Sequence, residues 1–288
     1  MRLLTILLLG IGITARAFAL PEGNWKLDWS DEFDGPAGAL PADHWILGAT
    51  NWSNVPYQWR DATLSRDEAF LDGQGRLIMR ARCMGGKRLC PYLVTRENTH
   101  PDKSYAVGPG ENGIYIECRV NVAQFKAWGA WFAFWLMSDH PYTGDPKNGS
   151  EIDVMEYAPY YCDRYTLMDK FHTGVIAGHG HDDQPAKNEL TRTDEYGQTV
   201  FDETKWNTWG LEWYKDRQIF TLNGKKFWEN TKWVSTDTTH SLRLTIEIQN
   251  QDPRKKTGHQ MGKFEDNPPD RLPSIVAVDY IRVYKRIR

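Results

Sequence analysis

Three carboxylates fall within the stretch Glu151-Ile152-Asp153-Val154-Met155-Glu156-Tyr157, and the apolar and aromatic residues between them are those that strands favour. Three clustered acids cannot all ionise at low cost, so at least one is expected to keep its proton near neutral pH. A protonated acid beside an ionised nucleophile is the equipment for cleaving a glycosidic bond. A surface strand with scattered acids, or a structural calcium site, is the plainer reading of the same residues.

Strand geometry makes the first reading testable. Side chains alternate, so Glu151 and Asp153 share one face while Glu156, an odd number of steps from Glu151, points to the other. One β-bulge between Asp153 and Glu156 restores it. The outer glutamates then lie about four steps apart, roughly 13 Å between Cα atoms, and two extended side chains can lean to a carboxyl separation of ~5 Å, the spacing of a retaining glycosidase.

The run from Gly149 to Tyr157 resembles the E-x-D-x-x-E signature of glycoside hydrolase family 16 in its bulged form. The resemblance implies Glu151 as nucleophile, Glu156 as acid/base and Asp153 as their support. Met155-Glu156-Tyr157 is most similar to laminarinase-type β-1,3-glucanases, whose relatives also include agarases, porphyranases and carrageenases acting on algal galactans. A non-catalytic lectin on the same scaffold is the alternative from another class, because fold does not fix function. The complete acidic triplet argues against it.

Stepping outward, Ala127 to Met137 is continuously apolar and resembles the family's strand preceding the catalytic one. Trp131 and Trp135 lie an even number apart and so share a face. On a cleft face they would stack on sugars, on a core face they would pack, and the resemblance favours the cleft. The resemblance also puts His172 near the acids; a surface or core-edge histidine is the other reading. Asp43 to Phe70 is irregular and rich in Trp, Tyr and Asn, so Trp52 can line a groove or cap the core. Gln249, at the end of the alternating stretch Leu242 to Ile248, can reach the cleft from its rim.

Further segments alternate as strands do: Trp25 to Phe33, Arg76 to Arg82, Gly113 to Val120, Trp206 to Tyr214, Arg217 to Leu222, and Val276 to Tyr284, with Asn223-Gly224 marking a hairpin. Met84 to Gly110 reads as a long inserted loop. Many short strands with turn signals predict an all-β sandwich or barrel, and the resemblance, which runs from about Trp25 to Tyr284, implies a jelly roll of two antiparallel sheets with a concave cleft. In many relatives a calcium ion sits near the termini, and Glu32 and Asp279 are the matching side chains, although two carboxylates do not make a site. No cofactor is needed for the chemistry.

Residues 1–19 carry Arg2, an apolar run and Ala17-Phe18-Ala19, the pattern of a cleaved export signal, and the run is too short to span a bilayer. A secreted or periplasmic protein follows, with 20–288 as one domain, a monomer free of the membrane. The formal net charge of -3 gives no electrostatic case for nucleic acid as a partner, whereas thirteen Trp and thirteen Tyr suit a polysaccharide. Four cysteines in an exported chain allow three pairings, of which Cys83 with Cys90, across a Gly-Gly loop, is favoured. His172 and the Gly178-His179-Gly180-His181 run have no helix to fix a zinc ligand pair.

Overall fold

The computed structural model describes residues 20–47, 58–59, 61–96, 105–138, 149–158, 171–177, 201–232, 234–248 and 264–288. The strands are β1 (Trp25–Asp31), β2 (Ile46–Leu47), β3 (Gln58–Trp59), β4 (Ala62–Leu64), β5 (Ala69–Leu71), β6 (Leu77–Met84), β7 (Lys87–Cys90), β8 (Tyr92–Val94) and β9 (Ile114–Gln124). They continue with β10 (Ala130–Ser138), β11 (Ser150–Tyr157), β12 (His172–Ala177), β13 (Trp206–Trp213), β14 (Gln218–Leu222), β15 (Lys225–Asn230), β16 (His240–Ile248) and β17 (Ser274–Arg286). Helical structure among the described residues is limited to single 3-10 turns.

Six strands form one sheet in the order β12-β11-β10-β16-β8-β2, and eleven form the other around the path β15-β14-β13-β9-β17-β6-β7-β4-β3. Neighbours in sequence are often not neighbours in the sheet, the crossing pattern of the expected jelly-roll sandwich. Alternation decides which side chains meet between the sheets. Ile116, Cys118, Val120 and Val122 of β9 and Phe132, Phe134 and Leu136 of β10 belong to one buried cluster, with Leu242, Leu244, Ile246 and Ile248 of β16. Each strand thereby gives its alternate residues to the core and leaves the others on an outward face.

Two tight turns follow from glycine. Asn223 and Gly224 both take positive φ, 51° and 77°, and close β14 onto β15, as the dipeptide foretells. Gly85 and Gly86 do the same, at 57° and 73°, between β6 and β7. Met84 to Gly110 is therefore not one long loop. Its alternation was hidden because β7 and β8 are short, separated by Pro91, and in β8 buried on both faces.

That hairpin also corrects the disulfide. Cys83 stands opposite Arg88, and Arg82 opposite Leu89, which leaves Cys90 two rungs from Cys83. Diagonal partners of this kind are about 7–8 Å apart, beyond the reach of an S–S bond. Cys83 is an exposed free thiol, and Cys90 and Cys118 are buried free thiols. Cys162 and the export segment lie outside the described residues.

Candidate active site

The site is built on β11 and its two neighbours. On the β10 side Phe134 pairs with Met155 but Trp135 pairs with Asp153, so Val154 is an extra residue. On the β12 side Asp153 pairs with Gly174 and Glu156 with His172, leaving Val154 and Met155 against Thr173 alone. This is the bulge that the acid spacing demands. It would strand the Val154 carbonyl, and the buried Thr173 hydroxyl donates to it at 3.0 Å.

The result is one outward row of acids. Ile152, Val154, Met155 and Tyr157 are buried, whereas Glu151 and Glu156 are half-exposed and Asp153 keeps 5% of its surface between them. Glu151 pairs with Met137 and Glu156 with Ala133. Those positions are four residues apart on β10, about 13 Å at ~3.3 Å per residue, which matches the span estimated from the sequence.

Electrostatics single out the middle acid. Burial, reinforced by the charges of Glu151, Glu156 and Glu247 and by a hydrogen bond to Glu151, holds the Asp153 carboxyl well above its ordinary range. Each of these favours the protonated form of Asp153 relative to an isolated carboxyl, and in that form its hydroxyl can donate to Glu151.

β10 supplies the floor. Phe132, Phe134 and Leu136 are fully buried, while Trp131 is half-buried and Ala133, Trp135 and Met137 retain 4%, 6% and 8%. Both tryptophans thus share the acids' face. Trp135 is clamped: its Nε1 donates to Thr245 Oγ1 at 3.1 Å, and the Arg243 guanidinium lies 4.8 Å from its ring centroid. Trp131 has the more open indole. His172 pairs directly with Glu156 and is buried beside it. Trp52 and Gln249 lie outside the described residues.

Sequence reasoning gave no site role to β16. Trp131 pairs with Glu247, Ala133 with Thr245 and Trp135 with Arg243, so these three polar residues continue the same outward face. Their parity, opposite to Leu242, Leu244, Ile246 and Ile248, was the available signal. Beneath β11, Ser150 Oγ and His240 Nε2 meet at 2.9 Å in a fully buried contact that pins the strand's start.

Glu32 and Asp279, the side chains matched to a calcium ion, are each engaged by an arginine. Arg282 grips both oxygens of Glu32 at 2.9 and 2.8 Å, and Arg119 pairs with Asp279. A calcium ion asks for six to eight oxygens, and among the described residues no group of three or more His, Cys, Asp or Glu is placed to hold a metal.

No family model matches the chain. A β-glucanase of Rhodothermus marinus is 26% identical over 281 residues, 91% of this chain and 86% of the relative. A glucan endo-1,3-β-glucosidase of Cryptopygus antarcticus is 26% identical over 217 residues, 73% of this chain and 70% of the relative. The structure of an endo-β-1,3-glucanase from Pyrococcus furiosus superposes with a TM-score of 0.62 at 20% identity, over 91% of this chain and 95% of the other. The chain is thus similar, over most of its length, to glycoside hydrolases that are named as β-glucanases, and it shares the jelly-roll fold of one whose structure is solved.

Proposed function

We propose that the protein is an exported, retaining endo-β-1,3-glucanase of glycoside hydrolase family 16, in the bulged form of its signature. The observation that carries this reading is the bulge at Val154, which brings Glu151, Asp153 and Glu156 onto one outward face. The name of the Cryptopygus antarcticus relative supports the 1,3 linkage, and that of the Rhodothermus marinus relative supports a β-glucan.

In the proposed reaction the Glu151 carboxylate attacks the anomeric carbon while Glu156 gives its proton to the departing glycosidic oxygen. Water then attacks the glycosyl–enzyme ester, losing a proton to Glu156, and Glu151 leaves. Asp153 donates a hydrogen bond to Glu151 throughout, orienting it and tempering its charge. The tryptophans of β10 present apolar floor to sugar rings. The proposed protein acts as a monomer on polysaccharide and uses no cofactor.

The test is to incubate the purified chain with laminarin, mixed-linkage glucan, agarose, porphyran and carrageenan and to separate the released oligosaccharides. Internal cleavage of laminarin, with the β-anomer formed first by NMR, is expected. Release from a galactan alone would overturn the substrate, and first formation of the α-anomer would overturn the mechanism.

A further inference from the structure

Arg243 is the sole arginine or lysine in the described strands of the six-stranded sheet. It lies on the outward face, in register with Trp135, which is itself in register with Asp153. Two strand spacings put it roughly 10 Å from the acid row. Its geometry is fixed: Nε donates to Ser241 Oγ at 3.1 Å, Nη1 to Tyr92 Oη at 2.5 Å, and the guanidinium plane covers Trp135.

Those partners are all neutral. No described carboxylate lies within ion-pair distance of Arg243, although the side chain is half-buried. By contrast, half-buried Arg282 pairs with Glu32, Arg119 with Asp279 and Arg88 with Glu265. An arginine kept partly desolvated without a counter-charge costs stability, and the bonds to Ser241 and Tyr92 use two of the five N–H donors of its guanidinium.

What those donors meet is constrained by charge. Glu151, Asp153, Glu156 and Glu247 stand on the same face against this single arginine. Among the described residues of this face the carboxylates outnumber the basic side chains, which disfavours a sulfate or uronate group here. It does not disfavour a hydroxyl-rich neutral sugar.

We propose that Arg243 is a substrate-binding residue that holds hydroxyl groups of a neutral glycan one row beyond the catalytic acids, and that the acids around it bar anionic glycans from the same position. This deepens the glucanase reading and rests on it for the direction of the sugar chain across the sheet.

The test uses Glu151→Gln as a non-hydrolysing background and titrates laminarihexaose by calorimetry into E151Q, E151Q/R243K and E151Q/R243M, with the melting temperature of each. Arg243→Met is expected to weaken the hexaose at least tenfold while the melting temperature holds or rises, and Arg243→Lys to fall between. Carrageenan hexasaccharide is expected not to bind. Unchanged hexaose affinity in E151Q/R243M overturns the proposal. So does an affinity loss that comes with a fall of several degrees in melting temperature, which would mark a packing role, and so does carrageenan binding tighter than hexaose. If the wild-type chain leaves laminarin intact while Arg243 still governs hexaose binding, the hydrolase reading falls and this inference stands.

Discussion

Trp135 stands opposite Asp153 while its chain neighbour Phe134 stands opposite Met155, and the residue skipped between those rungs is Val154. This single irregularity turns an acidic strand into a site. Without it Glu156 would face the packed core, where an ionised carboxylate is very costly.

Removing either outer acid should separate the two chemical steps. Glu156→Gln is expected to lower kcat on laminarin about 10²- to 10⁴-fold, the usual worth of a general acid. On a dinitrophenyl glycoside, whose leaving group needs no proton, its glycosylation step should be much less affected. Glu151→Gln should abolish both, because no nucleophile remains. Burst kinetics on the activated substrate distinguish these outcomes, and full activity of either variant on laminarin would reject the assignment.

Asp153→Asn should trade activity for stability. The folded pKa of Asp153 is raised, so the native state binds more protons than the unfolded chain above about pH 4 and loses stability as pH rises toward that folded value. Asparagine removes the cost and still offers an N–H to Glu151. We expect the melting temperature of D153N to exceed wild type at pH 7 and to converge with it near pH 4, with kcat below wild type but above that of Asp153→Ala. A melting temperature below wild type at pH 7 would contradict this.

His240 should carry an acid-side instability of opposite sign. Burial pushes its imidazole down to about 3, with the charges of Arg243 and Arg96 adding to the effect. The folded pKa lies below that of the unfolded chain, about 6.5, so its stabilising contribution is complete above that value. It is lost as pH falls toward 3, at up to about 1.4 kcal/mol per pH unit. Urea melts of wild type and His240→Gln between pH 4 and 7 should show a shallower slope in the variant. Parallel slopes would show that the imidazole does not carry the effect.

Thr173 should matter through one oxygen. Thr173→Val keeps the shape but leaves the Val154 carbonyl without its donor, a loss of about 1–3 kcal/mol. Thr173→Ser should recover most of it. Because the bulge aims Glu156, T173V is also expected to lower kcat more than KM, which steady-state kinetics on laminarin would reveal.

How much of this was written in the sequence depends on whether a signal is local. The bulge was legible because parity alone put Glu156 on the wrong face, and Asn223-Gly224 because only one turn type suits that pair. The raised pKa of Asp153 was not assignable, since it depends on burial and in part on Glu247, a residue distant in the chain. Arg243, Thr245 and Glu247 alternated visibly, but nothing local says which side of β16 faces the acids. The partners of Glu32 and Asp279 were hidden for a related reason: Arg282 and Arg119 meet them only after the sheet has formed. Cys83 and Cys90 looked close along the chain, and the hairpin register set them apart.

The separation of those sulfur atoms has a practical side. Cys83, Cys90 and Cys118 hold the sandwich together as small apolar fillers or surface groups, not as cross-links. Dithiothreitol should therefore leave the melting curve in place, and recombinant material should mature in the bacterial cytoplasm without oxidases or an isomerase.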